Sequence, residues 1–164
     1  MNFIDLGLSE PILDGLRDVG FKAPTKIQYE SILPVLSGRD IIASSETGTG
    51  KTGAFVVPIL ELLSKEPRVG VRCLILTPTR ELANQIDEQI TVIGYYSGIT
   101  SATVFGGTDG TEFGVQDRAL RTDGANIIIA TPGRLLDHIK MGHVDFSKVE
   151  FLVLDEADRM LDMG

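Results

Sequence analysis

One short stretch of the chain contains the residue types that bind phosphate groups. It reads ASSETGTGKT from Ala43 to Thr52 and precedes an apolar helical pattern. The two glycines let the backbone turn its amides inward, and a helix beginning near Gly50 would aim free N–H groups at the same point. The Lys51 ammonium can lie between β- and γ-phosphates, and the Thr52 hydroxyl can ligate the Mg²⁺ that bridges them. The stretch therefore predicts a phosphate cradle.

The cradle departs from the general pattern at one position. The pattern places a glycine five residues before Gly50, where this chain has Ser45. A simple turn closed by a solvated lysine is the alternative interpretation. A second site with matching chemistry is needed to decide between them.

A pair of carboxylates supplies that second site. The apolar run Phe151 to Leu154 ends in Asp155 and Glu156, whose side chains would point to opposite sides of a strand. Asp155 suits the Mg²⁺ shell, directly or through water, and Glu156 suits orienting and deprotonating a water that attacks the γ-phosphate. Alone, the pair could be a solvated acidic loop; together with the cradle it predicts nucleoside triphosphate binding.

Composition limits what else the protein can be. The chain has 164 residues, of which 43% are hydrophobic, enough for the core of a single domain. A net charge of −8 argues against a broad basic surface, so any contact with a polyanion must be local. The one cysteine, Cys73, lies in an apolar run, which excludes a disulfide framework and indicates a reducing compartment. No stretch approaches the roughly 18 apolar residues that span a bilayer, so we expect a cytoplasmic protein without membrane contact.

The hydrophobic pattern predicts an α/β fold. Two short helices come first, capped by Ser9 and Thr25, and from Asp40 onward short β-branched runs alternate with helical patterns, as in a mostly parallel sheet built of βαβ units. The predicted strands are Ile41–Ala43, Val71–Thr77, Thr100–Phe105, Asn126–Ala130 and Phe151–Asp155. The predicted helices are Lys51–Ser64, Arg80–Ile93, Gly133–Met141 and, within Thr108–Gly124, Val115–Arg121.

Unusual clusters follow the ends of these strands. Ligands of parallel sheets bind outside the carboxyl ends of the strands, so we expect one sheet edge to carry all the clusters. They are Ser44–Thr52, Pro78–Leu82, Gly106-Gly107, Thr131–Arg134 and Asp155–Asp158.

Over its whole length the chain resembles the DEAD-box RNA helicase family, whose name is spelled by Asp155-Glu156-Ala157-Asp158. Residues 20–28 are similar to the adenine-recognition segment of that family, although Lys26 stands where proline is usual. The resemblance implies that Gln28 recognises the adenine edge and that Phe3 stacks on the base, which selects ATP. The implied nucleotide-binding residues are Phe3, Phe21, Thr25, Gln28, Ser45, Glu46, Thr47, Gly48, Thr49, Gly50, Lys51 and Thr52. Lys51, Asp155 and Glu156 are the implied catalytic residues, and Thr52 and Asp155 the Mg²⁺ ligands.

The resemblance also implies contacts with the RNA backbone. The charge of two arginines, hydroxyls at helix starts and close approach of main-chain amides at glycines all suit phosphate and none of them identifies a base, so RNA binding should be independent of sequence. The implied residues are Pro78, Thr79, Arg80, Gly106, Gly107, Thr131, Pro132, Gly133 and Arg134.

The implied fold is the amino-terminal RecA-like P-loop NTPase lobe, with helices on both faces of the sheet. Residues 1–38 would form the adenine-recognition segment and residues 39–164 the P-loop core. The chain stops at Gly164, before the Ser-Ala-Thr element and the second lobe of the family, which carries the arginine fingers and half of the RNA clamp.

We therefore expect the lobe to be incomplete at its C-terminus, with a vacant strand position between Ile41–Ala43 and Val153–Asp155. Either more chain follows Gly164, or Val153–Asp155 is displaced, swapped with a second copy or loosely held. The two-lobed parent should be an ATP-dependent RNA helicase, an RNA-stimulated ATPase that unwinds local duplexes. The chain alone should bind ATP weakly and be inactive. One alternative is a non-catalytic, ATP-responsive adaptor for RNA or protein; a remoter one is a small-molecule P-loop kinase.

Overall fold

The computed structural model describes residues 1–107 and 110–164. They form two compact units, Met1–Pro67 with Glu88–Ile99 and Arg68–Asp87 with Thr100–Gly164. Each unit is described by itself. None of the helices within the described ranges is long and apolar enough to cross a membrane.

The first unit is helical. It contains a 3₁₀ turn at Phe3–Leu6, α1 (Glu10–Asp18), α2 (Lys26–Leu36) and α3 (Lys51–Lys65). Thr25 caps α2 as predicted. Its hydroxyl accepts a hydrogen bond from the main-chain N–H of Gln28, and the side-chain oxygen of Gln28 accepts one from the main-chain N–H of Thr25. The Ser9 hydroxyl does not cap α1 and instead donates to the buried Glu61 carboxylate at 2.8 Å. That prediction was wrong because a charged acceptor is the stronger partner.

The core of the first unit brings α1 close to the end of α4 (Arg80–Ile93), a helix that has residues in both units. Ile12 and Leu16 of α1 are fully buried, and Gly15 lies between them in sequence. A Cβ atom at Gly15 would be 1.9 Å from the carbonyl oxygen of Ile93. Only glycine therefore allows this approach of the two backbones.

The second unit is built on a four-stranded sheet. Its strands are β1 (Cys73–Leu76), β2 (Ser101–Val104), β3 (Ile127–Ala130) and β4 (Phe151–Leu154), and its other helices are α5 (Gly110–Ala119), α6 (Pro132–Met141) and α7 (Ala157–Asp162). The strand order is β2-β3-β1-β4 and every pair is parallel. The α/β fold with a parallel sheet is thus confirmed, as are four of the five predicted strands. The residues of the predicted Thr108–Gly124 region that precede α5, Thr108 and Asp109, lie outside the described part of the chain.

The register of the sheet places one apolar core on one face. Leu74 pairs with Ile128, and Val104 pairs with Ala130, so their side chains share a face. They pack in one buried cluster with Leu120, which follows α5, and with residues of neighbouring segments. This packing fixes the carboxyl ends of β1, β2 and β3 at one edge.

The predicted strand Ile41–Ala43 is wrong. Residues 39–46 have no regular secondary structure, and the Ile42 side chain is fully exposed. The described residues of the first unit contain no strand, and a lone strand cannot satisfy its backbone hydrogen bonds. The predicted vacancy assumed a strand at Ile41–Ala43, which did not form. Val153–Asp155 does keep a partner, because β4 pairs in register with β1 and the Asp155 N–H donates to the Leu76 carbonyl.

Candidate functional site

The predicted phosphate cradle forms a loop that leads directly into α3. Gly48 and Gly50 have φ angles of 79° and 87°, the left-handed conformation that glycine adopts without steric cost. Gly50 is the N-cap residue, and Lys51 and Thr52 begin the helix. The free amides of the first turn of α3 therefore follow the loop, as an anion site requires.

The polar side chains of the loop form hydrogen bonds to its main chain and to each other. The Lys51 ammonium donates to the Ser45 carbonyl at 2.7 Å, which keeps its charge inside the loop. The hydroxyls of Ser45 and Thr49 are 2.7 Å apart, and the Thr49 hydroxyl donates to the Glu46 carbonyl. Ser45 stands where the general pattern has glycine, yet its φ is not positive, so serine fits without strain.

Gln28 connects the predicted adenine-recognition segment to the cradle. Its Oε1 accepts from the Thr25 N–H at 3.0 Å, and its Nε2 donates to the Gly50 carbonyl at 3.1 Å. The residue is only 2% exposed. Cβ atoms at Gly50 and Gly53 would be 2.6 and 2.7 Å from Nε2, so both glycines make room for this amide. The sequence does not show that residue 53 must be glycine, because the requirement comes from contact with Gln28, which is distant along the chain.

The two aromatic residues of the predicted adenine site are stacked on each other. The Phe3 and Phe21 rings are 6.4 Å apart at an interplanar angle of 15°. Phe3 is buried and Phe21 is partly exposed. Phe21 is thus the ring with surface available for a base.

A cavity of about 480 Å³ opens beside the cradle, a volume typical of small-molecule sites. Its lining consists of Thr25, Lys26, Ile27, Glu30, Ser44, Ser45 and Thr49. A larger cavity of about 590 Å³ in the second unit, near Arg72 and Glu150, contains none of the predicted site residues.

In the second unit, three of the predicted RNA-contact clusters meet at the strand ends. A Cβ at Gly107 would be 3.3 Å from Nη1 of Arg80, and one at Gly106 would be 3.9 Å from Nη2 of Arg134. The Arg80 side chain is 53% exposed and lies over the Phe105 ring at 5.8 Å. The Arg134 side chain is only 15% exposed. Two guanidinium groups therefore flank one glycine turn.

The other residues of these clusters begin helices. Thr79 accepts from the Leu82 N–H at 3.3 Å at the start of α4. Thr131 is the N-cap of α6, without a side-chain cap bond, and Pro132 is the first helical residue. Pro78 is buried, whereas Gly133 is exposed.

A buried polar group beneath Arg134 was missed by sequence reasoning. Gln116 of α5 contacts the Phe105 carbonyl, Arg134 and His138 through its amide. Burial lowers the pKa of His138, and the positive Arg134 lowers it further, against the opposing effect of Asp117 and Asp137. A polar residue in a weakly amphipathic helix gives no pattern that could have indicated this role.

The carboxylate pair follows β4. Glu156 has φ 52° and ψ 49° and is the only non-glycine residue with positive φ in the described ranges. It also forms an ion pair with Arg159 at 3.4 Å. A glutamate in the left-handed region carries a backbone cost of about 1–3 kcal/mol, and such residues cluster at functional sites.

No group of three or more His, Cys, Asp or Glu side chains in the described residues could enclose a metal ion. A calcium- or zinc-type protein cage is therefore not present there. Mg²⁺ usually keeps several waters and takes one or two protein ligands together with substrate phosphates, so it does not need such a cage. Its predicted ligands are Thr52, in the first unit, and Asp155, in the second. The buried Cys73 is unsuited to chemistry, because burial raises the pKa of its thiol.

Comparison with known proteins agrees with the family resemblance seen in the sequence. The DEAD/DEAH box helicase family model matches residues 25–164. The chain is 47% identical over 163 residues to "ATP-dependent RNA helicase DeaD" of Escherichia coli (strain K12) and 44% identical over 164 residues to "Probable ATP-dependent RNA helicase DDX49" of Homo sapiens. It is 46% identical over 166 residues to "DEAD-box ATP-dependent RNA helicase 30" of Arabidopsis thaliana. Each match covers 99% of this chain but only 25%, 33% and 27% of the respective relative. The chain belongs to the DEAD/DEAH box helicase family.

Proposed function

We propose that this chain is the ATP- and RNA-binding lobe of a two-lobed, ATP-dependent RNA helicase, which couples ATP binding and hydrolysis to local unwinding of RNA duplexes. The hydrogen bond from Gln28 to Gly50 carries the proposal. It joins the residue that would recognise adenine to the loop that would hold the phosphates, within one unit. A nucleotide bound there would be held at its base by Gln28 and at its phosphates by the cradle.

The base and the phosphates use different parts of the first unit. An amide has a second N–H and a second acceptor lone pair, so Gln28 can keep its present bonds and still recognise the adenine edge. The resemblance gave base stacking to Phe3, but Phe3 is buried, so we assign the stacking to the partly exposed ring of Phe21, which Phe3 supports. Lys51 would leave the Ser45 carbonyl for the β- and γ-phosphates, with residues 46–50 and the first turn of α3 donating main-chain N–H groups.

Thr52 and Asp155 would hold Mg²⁺, which supplies charge neutralisation at the phosphates when it is bound. Glu156 would hold the attacking water and accept its proton. The left-handed backbone of Glu156 sets the direction in which its side chain leaves the main chain. A costly conformation of this kind supports a role in which the carboxylate must be held in one place.

RNA would bind through its backbone at the glycine turn of the second unit. Arg80 and Arg134 supply positive charge beside Gly106-Gly107, and the helix starts at Thr79 and Thr131 supply N–H groups. Pro132 and Gly133 complete the predicted surface, and Pro78 is buried beside it and can contribute only by shaping the main chain. All of these groups suit phosphate rather than base edges, so binding would be independent of sequence.

The remaining parts of the proposal concern the whole protein. The chain spans a quarter to a third of the relatives described above, so a second RecA-like lobe that completes the ATP site and the RNA clamp is part of the proposal. The same holds for a cytoplasmic location, which a single buried cysteine suits.

RNA-stimulated ATP hydrolysis by the full-length protein tests this function. We expect RNA to stimulate hydrolysis and Lys51→Ala to abolish it, because the γ-phosphoryl group loses its nearest cation. Lys140→Ala, an exposed lysine of α6, is the matched control and should keep the wild-type rate. RNA and ATP binding without turnover in the wild-type protein would instead favour a non-catalytic adaptor, and hydrolysis by Lys51→Ala near the wild-type rate would overturn the site.

A further inference from the structure

The Gln116 side chain is buried in α5 between three partners. It is 5% exposed. Its Nε2 donates to the Phe105 carbonyl at 3.1 Å, and its Oε1 accepts from Arg134 at 3.3 Å and from His138 Nε2 at 3.1 Å. A carbonyl can only accept and a guanidinium can only donate, so the orientation of the amide follows from its partners.

The Phe113 ring also contacts two of these partners, His138 and Arg134. The Phe113 ring stacks on His138 with centroids 4.0 Å apart and an interplanar angle of 15°. The Arg134 guanidinium lies over Phe113 at 5.4 Å, and Arg134 also pairs with Asp137 at 3.9 Å. Arg134 is therefore held by a hydrogen bond, a ring face and a carboxylate, which leaves its guanidinium little rotational freedom.

The Phe105 carbonyl gives Gln116 a second role. Phe105 directly precedes Gly106, and Arg134 lies next to Gly106 in space. One buried amide thus bonds both to the main chain entering the glycine turn and to the arginine beside that turn. Glycine is the most conformationally free residue, so the pair Gly106-Gly107 depends on such outside contacts for a fixed shape.

We propose that Gln116 is a positioning residue for RNA-backbone binding, which fixes the Arg134 guanidinium and the main chain at Gly106-Gly107 in one preformed arrangement. This inference rests on the proposed function, in which those groups contact RNA phosphates. Gln116 itself does not touch RNA. Its contribution is to reduce the ordering that binding would otherwise require.

The state of His138 fits this role. Donation to Gln116 requires a hydrogen on Nε2, and the buried Nδ1 has no hydrogen-bond partner among the residues that the structure describes. A neutral imidazole with its hydrogen on Nε2 satisfies both facts, since a protonated ring would bury an unpaired N–H at Nδ1. Asp117 and Asp137 are the acidic groups that act on this ring, and Arg134 is the basic one.

The test is a double-mutant cycle in the full-length protein, with the RNA concentration for half-maximal ATPase as the readout. Gln116→Met keeps the volume but removes all three hydrogen bonds. We expect it to raise the half-saturating RNA concentration on the order of tenfold, with the KM for ATP unchanged, because a hydrogen bond to a charged group is lost. In the Arg134→Met background the same change should have a smaller effect, because the part of its action that passes through Arg134 is already lost.

Gln89→Met is the matched control. Gln89 is a partly buried glutamine of α4 whose Oε1 has no hydrogen-bond partner in the described ranges, so its replacement should leave RNA half-saturation unchanged. A general loss of folding would shift the KM for ATP as well, which separates a structural role from a positioning role.

The outcomes distinguish the inference from the function on which it rests. If Arg134→Met leaves RNA half-saturation unchanged, the proposed RNA contact of Arg134 fails. If Arg134→Met weakens RNA binding but Gln116→Met does not, or if Gln116→Met acts equally in both backgrounds, the inference alone fails. Should Gln116→Met not fold, Gln116→Glu preserves the acceptor for Arg134 and His138. Its carboxylate cannot donate to the Phe105 carbonyl, so the main chain entering the glycine turn loses its anchor and RNA half-saturation should rise with the KM for ATP unchanged. A wild-type value would overturn the inference.

Discussion

The Gln28 side chain donates a hydrogen bond to the carbonyl of Gly50 across 22 positions of sequence. Gly50 and Gly53 both lack the Cβ atom that would collide with this amide. The predicted adenine-recognition segment and the predicted phosphate cradle thereby pack directly against each other. Changes at Gln28 should consequently affect both base selection and the loop.

Gln28→Glu tests this coupling through nucleotide selectivity. A carboxylate cannot donate to the Gly50 carbonyl or to an acceptor on adenine, so ATP affinity should fall roughly tenfold and the preference for ATP over GTP should shrink. Fluorescent-nucleotide titration measures both affinities. Gln85→Glu, at an exposed glutamine of α4, should bind as the wild type does. Unchanged discrimination between ATP and GTP would remove Gln28 from base recognition.

Glu156→Gln should separate nucleotide binding from hydrolysis. The amide keeps the shape of the carboxylate but cannot accept a proton, so ATP affinity should persist while turnover in the full-length protein falls about 10²- to 10⁴-fold. The lost ion pair with Arg159 is partly solvent-exposed and contributes little. Glu88→Gln, on the exposed surface of α4, is the control. Loss of ATP affinity as severe as that of Lys51→Ala would contradict the water-positioning role.

Gly15→Ala should destabilise the first unit. Its Cβ would meet the Ile93 carbonyl oxygen at 1.9 Å, a backbone group that cannot move aside, so we expect a loss of about 1–3 kcal/mol in the free energy of unfolding. Urea denaturation of the 164-residue chain measures it.

Gly114→Ala provides the matched control for that substitution. Gly114 lies in α5 with nothing within 4 Å of its Cβ position, so alanine should stabilise by about 0.5–1 kcal/mol through helix propensity. Equal effects of the two substitutions would show that the approach of α1 to Ile93 is not close in solution.

His138 should titrate below the ordinary histidine value of 6.5. Its pKa is lowered mainly by burial, so the unfolded chain binds the proton more readily than the folded chain does. The contribution of His138 to stability is therefore fully present above pH 6.5 and is lost as the pH falls from 6.5 through the folded pKa.

Histidine NMR measures this directly, because the chain has only two histidines. His143→Gln removes the exposed one and assigns the remaining signal to His138. A second readout is stability: between pH 7 and pH 5 the wild type should lose more than His138→Gln, which keeps an amide donor. A His138 midpoint at or above 6.5 would contradict the neutral imidazole.

The sequence by itself determined the local features of this protein. Strands β1 to β4 follow from short apolar runs, α3 and α4 from helical periodicity, and the phosphate cradle from glycines at fixed spacing before Lys51. The Thr25 cap was predictable for the same reason, since Thr25 and Gln28 are three residues apart. Each of these features depends on neighbours in the chain, whose geometry the backbone fixes.

Only the tertiary structure decided the features that depend on distant residues. Ile41–Ala43 has strand-forming residues, but a strand needs a partner to satisfy its backbone, and no strand of the described ranges pairs with it. The Ser9 hydroxyl donates to the buried Glu61 carboxylate instead of capping α1. Gln116 looks like any polar helix residue until folding surrounds it with Phe105, Arg134 and His138. Burial turns such a polar group into an obligatory hydrogen-bonding centre, because leaving it unpaired costs about 1–3 kcal/mol, and burial is a property of the fold rather than of the local sequence.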